Sequence, residues 1–357
     1  MLSSEKNRLH KLLADAGIRL NVLVSDIHGQ AARAMVKALI AGHSTNAIRG
    51  IGSIRWEWLE ASIAEKAREW NDASSTRFVV IDGMMESGLC AELAEFSGIA
   101  EKFAKPLLKK HKNVRGKSGT TDPARMTAVQ REFFTQINSD RFLRILEKIT
   151  GIAPIYPDPN LNGGGLHQIR HGGYLNVHTD FNFDPITQRN RRLNLLLYLN
   201  ESWCDAWGGK IELWDTKLDR PFFSALPIAN RVLIFETSET SYHGHPVPLT
   251  SPIDVYRKSM AVYYYSEWPQ GVQPRKGTDY QLTHLQWSAL IGKIGALIAS
   301  RDISESEIID ELQLDYMKGD IRIAYAALMG LRSPPTIAEQ YWESADGSRS
   351  LLKPGEA

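Results

Sequence analysis

Cysteine is scarce: Cys90 and Cys204 are the only two in 357 residues. That excludes a disulfide scaffold and a Cys-based zinc site, and it makes a reducing cytoplasm the expected setting. An excess of charge is missing as well. Lys+Arg 42 against Asp+Glu 41 leaves a formal +1, so bulk charge argues for neither nucleic acid nor an anionic membrane surface as a partner. Long apolar runs are lacking too. The most apolar C-terminal stretch, ALIGKIGALIAS, is short and interrupted by Lys293, so no membrane span is expected. The opening MLSSEKNRLHKLLADAG has no apolar stretch of the secretory kind. Glycines 163–165 and 208–209 fit no phosphate-binding motif and read as turns. No internal repeat is visible. What remains is an ordinary globular composition, 43% hydrophobic and 23% charged, in a chain long enough for a sizeable core.

The pattern divides into three parts. Residues 1–75 read as a helical N-terminal extension, with NRLHKLLADAGI, AARAMVKALIAG and WEWLEASIAEKAREW at roughly helical spacing. Residues 76–268 read as the core. It opens with the strand RFVVID and the helical MESGLCAELAEF, and continues with a basic, Gly/Pro-punctuated segment, KPLLKKHKNVRGKSGTTDP, that looks like a mobile loop. AVQREFFTQINSDRFLRILEKITG is then one long amphipathic stretch. From about Leu161 short apolar runs alternate with turn residues (LHQIR, YLNVHTD, LNLLLYLN, GGKIELWD, ANRVLIFET, RKSMAVYYYSEW), as in a β sandwich or barrel. Residues 269–357 return to helical spacing as a C-terminal extension.

Within YLNVHTD, His178 and Asp180 stand two apart and so share one face of a strand. A carboxylate on a core-facing surface is costly unless it is paired. A turn-end hydrogen bond, a proton relay and a metal site are all open readings of the pair. ETSYHGHPVPL adds His243 and His245 after the strand RVLIFE. Two imidazoles and one carboxylate are the ligand set of a facial triad, which leaves open positions on Fe(II) for oxygen and an organic co-substrate. Further on, alternation in RKSMAVYYYSEW places Arg257, Ser259, Ala261 and Tyr263 on one face. An inward arginine needs an anionic partner, and a dicarboxylate would pair with it bidentately, with Ser259 adding a hydroxyl bond. Tyr198 is placed to add a phenol near the same carboxylate.

These motifs, taken in order, carry a resemblance. The run from about Phe78 to Trp268 resembles a 2-oxoglutarate- and Fe(II)-dependent dioxygenase of the prolyl 4-hydroxylase-like group, through YLNVHTD, LLLYLNESW, WGGKIELWD, RVLIFETSETSYHGHPVPL and RKSMAVYYY. The resemblance implies an α+β protein, a double-stranded β-helix (jelly-roll) core with helical extensions. It implies His178, Asp180 and His243 as iron ligands, with His243 preferred to His245 because a small residue, a variable one and Pro follow it. It implies Arg257 as the salt-bridge partner of 2-oxoglutarate, preferred to Lys258, and Tyr198 as an auxiliary contact. The implied cofactors are Fe(II), 2-oxoglutarate as co-substrate, and O2, with ascorbate as an optional reductant. The implied reaction hydroxylates an unactivated C–H bond while 2-oxoglutarate is decarboxylated to succinate and CO2. Asp180 argues against halogenation, since related halogenases carry a small residue there.

The substrate classes implied are peptidyl or prolyl and amino-acid-like, with natural-product intermediates as the alternative. A non-catalytic β-helix sensor or binding protein is the rival from another class, and it predicts loss of a ligand or of the arginine. The extensions are expected to hold a substrate or build a homodimer interface. Tyr174, four before His178, is expected on the same face, within reach of the co-substrate. His167 and His171 read as strand-end histidines more readily than as pocket lining. Asn194 is a weak pocket candidate, Phe181 and Asn182 are placed to touch a substrate, and Trp203, Trp207 and Trp214 read as packing. Lys105, Lys109, Lys110, Lys112, Arg115 and Lys117 read as a solvated loop, with a substrate-contacting lid as the alternative.

Overall fold

The computed structural model describes residues 54–330 except 73–74, 87, 97–98, 100–111, 276 and 314, together with 341–343 and 349–351. The expected helices before residue 54, and Lys105, Lys109 and Lys110, lie outside the described residues.

Helices α1 (Trp56–Ala61) and α2 (Ile63–Asp72) lead into β1 (Phe78–Asp82), and α3 (Leu89–Leu93) follows. The stretch expected as one amphipathic helix is two. Helix α4 (Ala128–Ile137) starts on a Thr127–Gln130 capping box, and α5 (Asp140–Thr150) starts afresh where the Ser139 hydroxyl accepts from the Phe142 amide. Helix α5 ends on Gly151 in the left-handed region.

The remaining core strands are β2 (Val114–Thr120), β3 (Gly165–Thr179), β4 (Phe183–Asp184), β5 (Arg189–Tyr198), β6 (Ile211–Trp214), β7 (Pro221–Ala225), β8 (Arg231–Glu236), β9 (Tyr242–His245) and β10 (Arg257–Ser266). The strand order is β1-β8-β5-β10-β3-β9-β6-β7, antiparallel throughout. Strand β3 belongs to both halves. Its first half pairs with β10 through Gly165–Ile169, and its second half pairs with β9 at Leu175 and His178. Four strands (β1, β8, β5, β10) on one side of that shared strand and three (β9, β6, β7) on the other give two facing sheets, which is the double-stranded β-helix. The segment expected as a loop contains β2, which pairs along both halves of β3.

Why LNLLLYL is almost wholly apolar is now clear: both faces of β5 are covered. Leu193, Leu195 and Leu197 join Val232, Ile234, Met260 and Val262 against Phe133, Phe134, Phe142 and Leu146 of α4 and α5. Tyr198 points the other way, into a second cluster with Ile211, Leu213, Leu233 and Phe235 between the sheets. Truncating a fully buried leucine such as Leu195 to alanine costs about 2–5 kcal/mol, so this helix-backed sheet is the rigid base of the cavity.

Beyond the core, β11 (Asp279–Tyr280) pairs with the end of β3, and helices α6 (His284–Ser300), α7 (Glu305–Leu312) and α8 (Lys318–Leu328) share their own core around Leu290, Ile294, Ile308 and Ile321. Among the described residues no helix is long and apolar enough to cross a membrane.

Candidate active site

The two sheets enclose a cavity of about 180 Å³. At one end His178, Asp180 and His243 bring one donor atom each to within 4.8 Å of one another. Strand register accounts for this: His178 of β3 lies opposite His243 of β9, and Asp180 follows where β3 ends. The Nε2 atoms of His178 and His243 lie 3.7 and 3.6 Å from the Asp180 carboxylate. In each imidazole the other nitrogen is already committed. His178 Nδ1 donates to the Asn176 carbonyl at 2.8 Å, and His243 Nδ1 donates to the Ser241 carbonyl at 2.9 Å. This fixes the tautomer and turns an Nε2 lone pair toward the centre. Burial and the neighbouring His243 ring pull His178 down to about 3, so it is neutral and ready to donate at neutral pH.

Asp180 is buried, which by itself would raise its pKa. Arg191, then the two imidazoles and the Asn194 amide, outweigh that and hold it below the ordinary carboxylate range. Asn194 Nδ2 donates to Asp180 Oδ2 at 2.6 Å, and Thr237 Oγ1 donates to Asn194 Oδ1 at 3.2 Å. Arg191 Nη1 stands 3.3 Å from Oδ2, with its guanidinium stacked 3.7 Å over Phe181 and 3.5 Å over Tyr263.

Toward the other end Arg257 faces inward with Ser259 and Tyr263, as alternation predicted. Its Nε donates to the Gly209 carbonyl at 2.7 Å and its Nη2 to the Tyr198 hydroxyl at 3.3 Å. Lys258 points away, its ammonium on the Ala94 carbonyl at 2.7 Å. Tyr198 therefore stands behind Arg257 and does not line the cavity. The turn reading of Gly208–Gly209 was incomplete. Gly209 has φ +72, and a Cβ there would lie 2.5 Å from Leu249 and 3.2 Å from Arg257, so glycine lets its carbonyl reach the guanidinium.

Tyr174 is not in the cavity. A bulge between Leu175 and His178 breaks the alternation, so Leu175 turns inward with His178. Tyr174 faces out, and its hydroxyl donates to the Lys112 carbonyl at 2.8 Å. His245 lines the cavity outside the triad, and neither of its ring nitrogens has a hydrogen-bond partner. His167 also lines it, whereas His171 bonds the Ser251 carbonyl at 2.5 Å. Phe181 is in the wall. Asn182 instead accepts from the Arg275 amide at 2.7 Å, tying the core to the C-terminal extension.

Two groups escaped sequence reasoning, and a third, Lys117, is no solvated loop residue as expected. Lys117 of β2 lines the cavity, and burial, with the neighbouring Arg257, lowers it to about 8 against the raising influence of Asp180. Thr278 and Tyr280 of the C-terminal extension close the triad end, with the Tyr280 ring 5.2 Å from that of His178. Arg275 donates to the Asp180 backbone carbonyl and the Thr179 hydroxyl. Only the inward alternation of β2 could have signalled Lys117, and that strand was masked by its glycines.

Residues 164–265 match the model of the 2OG-Fe(II) oxygenase superfamily. No curated protein matches the chain. Among solved structures, the chain is similar to a prolyl 4-hydroxylase from Phytophthora capsici at 20% identity, with 78% of this chain and 87% of that one covered and a TM-score of 0.44. It is similar to a prolyl-4-hydroxylase from Pseudomonas putida at 16% identity, covering 59% of this chain and 100% of that one, with a TM-score of 0.39. HygX from Streptomyces hygroscopicus, solved with nickel, 2-oxoglutarate and hygromycin B, matches at 14% identity over 60% of this chain and 96% of its own, with a TM-score of 0.39.

Proposed function

We propose, for a chain whose residues 164–265 belong to the 2OG-Fe(II) oxygenase superfamily, that it hydroxylates an unactivated C–H bond of a peptidyl, prolyl or amino-acid-like substrate. The protein is an enzyme, and its cofactors are Fe(II) and 2-oxoglutarate. The observation that carries the residue assignment is the buried group of His178, Asp180 and His243 at one end of a cavity that also holds Arg257. Two imidazole nitrogens and one carboxylate oxygen fit a ferrous ion, and all three are oriented by outer partners before any metal arrives. Iron, when bound, couples decarboxylation of 2-oxoglutarate to succinate and CO2 with oxidation of the substrate.

The chain's own share is placement. His178, Asp180 and His243 would hold the metal with three donors, and co-substrate and oxygen would take the remaining positions. Arg257 and Ser259 hold the remote carboxylate, and Tyr198 acts through Arg257, fixing the guanidinium plane. Phe181, Tyr263 and Tyr280 wall the metal end with rings that exclude bulk water. A cavity of about 180 Å³ is smaller than the ~300–1,000 Å³ of pockets that enclose a drug-sized ligand. It takes the co-substrate and only the reacting end of a substrate, which suits a side chain presented on a peptide or on an amino acid.

Anaerobic protein given Fe(II) and 2-oxoglutarate should show a weak visible charge-transfer band. Asp180→Ala and Arg257→Ala should each abolish it at sub-millimolar 2-oxoglutarate. A missing band in the wild type, or an unchanged one in both variants, sinks the assignment. Succinate release against pools of peptides and of free amino acids then separates the substrate classes.

A further inference from the structure

The anion end of the cavity holds more cation than Arg257 supplies. Lys117 of β2 lies opposite Ile169 of β3, and Ile169 lies opposite Arg257 of β10. Residues directly opposed across strands share a face, so the three form one row on the inner surface with a cation at each end. With neighbouring strands about 4.8 Å apart, the two cationic residues start from backbones roughly 10 Å apart and converge on the space over Ile169. The next row runs Gly119, His167, Ser259. A Cβ on Gly119 would lie 2.2 Å from the Leu166 carbonyl and 3.0 Å from His167, so nothing larger than glycine fits beside the lysine's row.

The charges do not balance within the chain. Four charged side chains line the cavity: Asp180, Arg191, Arg257 and Lys117. Arg191 stands 3.3 Å from Asp180. Arg257 has only neutral acceptors, the Gly209 carbonyl and the Tyr198 hydroxyl. Lys117 has no hydrogen-bond or ion-pair partner among the described residues, and its charge is felt at Asp180, Arg257 and His178 alike. Two cations thus face one small space without a carboxylate, and a dicarboxylate supplies two. Arg257 is tied back toward Gly209 and Tyr198, away from the metal end. Lys117 lines the same cavity, and its charge acts on the triad residues Asp180 and His178 as well as on Arg257.

We propose that Lys117 is a second co-substrate-binding residue: its ammonium binds the 2-oxo carboxylate at the metal end, while Arg257 binds the distal carboxylate. This rests on the 2-oxoglutarate reading above. His245, buried beside them with both ring nitrogens unpartnered, offers the same ligand a neutral hydrogen bond.

Two acids separate the roles. 2-Oxoglutarate and 2-oxobutyrate share the 2-oxo acid head, and only the first has a distal carboxylate. Each is titrated into anaerobic Fe(II)-loaded protein by its charge-transfer band, and Mn(II) affinity is measured without either acid. Lys117→Met should raise the Kd for both acids by a similar factor, roughly 10- to 100-fold for loss of a charged hydrogen bond. Arg257→Met should raise only that for 2-oxoglutarate. Mn(II) affinity should stay at the wild-type value in both, and Lys117→Arg should recover part of the loss. The proposal is overturned if Lys117→Met leaves both acids unchanged, weakens only 2-oxoglutarate, or lowers Mn(II) affinity. A wild type with no band for either acid overturns the 2-oxoglutarate reading itself, and the proposal with it.

Discussion

The two ends of the cavity are built differently. At the triad end every donor is held by a second group: Asn176 and Ser241 carbonyls on the imidazoles, Asn194 and Arg191 on the carboxylate, Thr237 behind Asn194. At the anion end His245 has no partner and Arg257 is half committed. A metal site needs fixed directions before binding, because ligand geometry sets which positions stay open. A site for a diacid can leave its polar groups unsatisfied, since the incoming carboxylates complete them. The contrast separates what the fold pre-pays in order from what it leaves to the ligand.

The comparison breaks most visibly if the ordered end loses its outer support. Asn194→Ala removes the 2.6 Å bond that orients Asp180 and leaves the Thr237 hydroxyl without its acceptor. Loss of such an outer partner typically costs 10- to 100-fold in metal affinity. A competition titration with a chromophoric chelator should show that drop for Fe(II) or Mn(II), while 2-oxoglutarate affinity at saturating metal changes little. An equal loss in both would mean that the two ends are not separate.

The anion end is tested more gently at Gly209. Gly209→Ala adds a Cβ 2.5 Å from Leu249 and 3.2 Å from Arg257 at a φ of +72. Strain of about 1–3 kcal/mol is expected, displacing the carbonyl that holds Arg257 Nε. Thermal denaturation should report the destabilisation, and the Kd for 2-oxoglutarate should rise with metal affinity unaltered.

The same contrast explains what the sequence made legible. The triad was visible because metal geometry forces a short code, His178 and Asp180 at i and i+2, with a third ligand at a distant strand. Arg257 was visible because a buried guanidinium on an alternating strand demands an anion. Lys117 was read as a solvated loop residue: Gly116 and Gly119 around it in NVRGKSG look like a loop, and only pairing with β3 makes them a strand. Tyr174 was misplaced by a bulge that no composition signals. The division of the core helices at Ser139 was signalled by the residues themselves, since Asn-Ser-Asp is a capping sequence, but periodicity alone overrode it. The strap of Arg275, Thr278 and Tyr280 over the triad belongs to tertiary docking and leaves no local mark.

The last expected effect concerns the far side of Arg191 and is confined to part of the pH range. Asp158 is buried, and desolvation raises it to about 7 although Arg191 opposes the shift. Its Oδ2 has no hydrogen-bond partner. An unfolded aspartate loses its proton near 3.9, on the order of the usual value. Between that pH and about 7 the folded protein therefore holds the proton that the unfolded chain has released. With more protons bound in the native state, stability falls as pH rises through this window and levels off above it. Asp158→Asn removes the titrating group while keeping its shape and a hydrogen-bonding oxygen. Urea midpoints should then decline less between pH 4.5 and 7.5 than in the wild type, with a gain of about 1–3 kcal/mol at the upper end. Metal affinity tests the comparison at the same time. If Asp158 serves only the packing behind Arg191, Mn(II) binding at pH 7.5 is unchanged. A weaker Mn(II) site would mean that Arg191 shares its charge between Asp158 and Asp180, so that the ordered end of the cavity reaches one carboxylate further than its hydrogen bonds show.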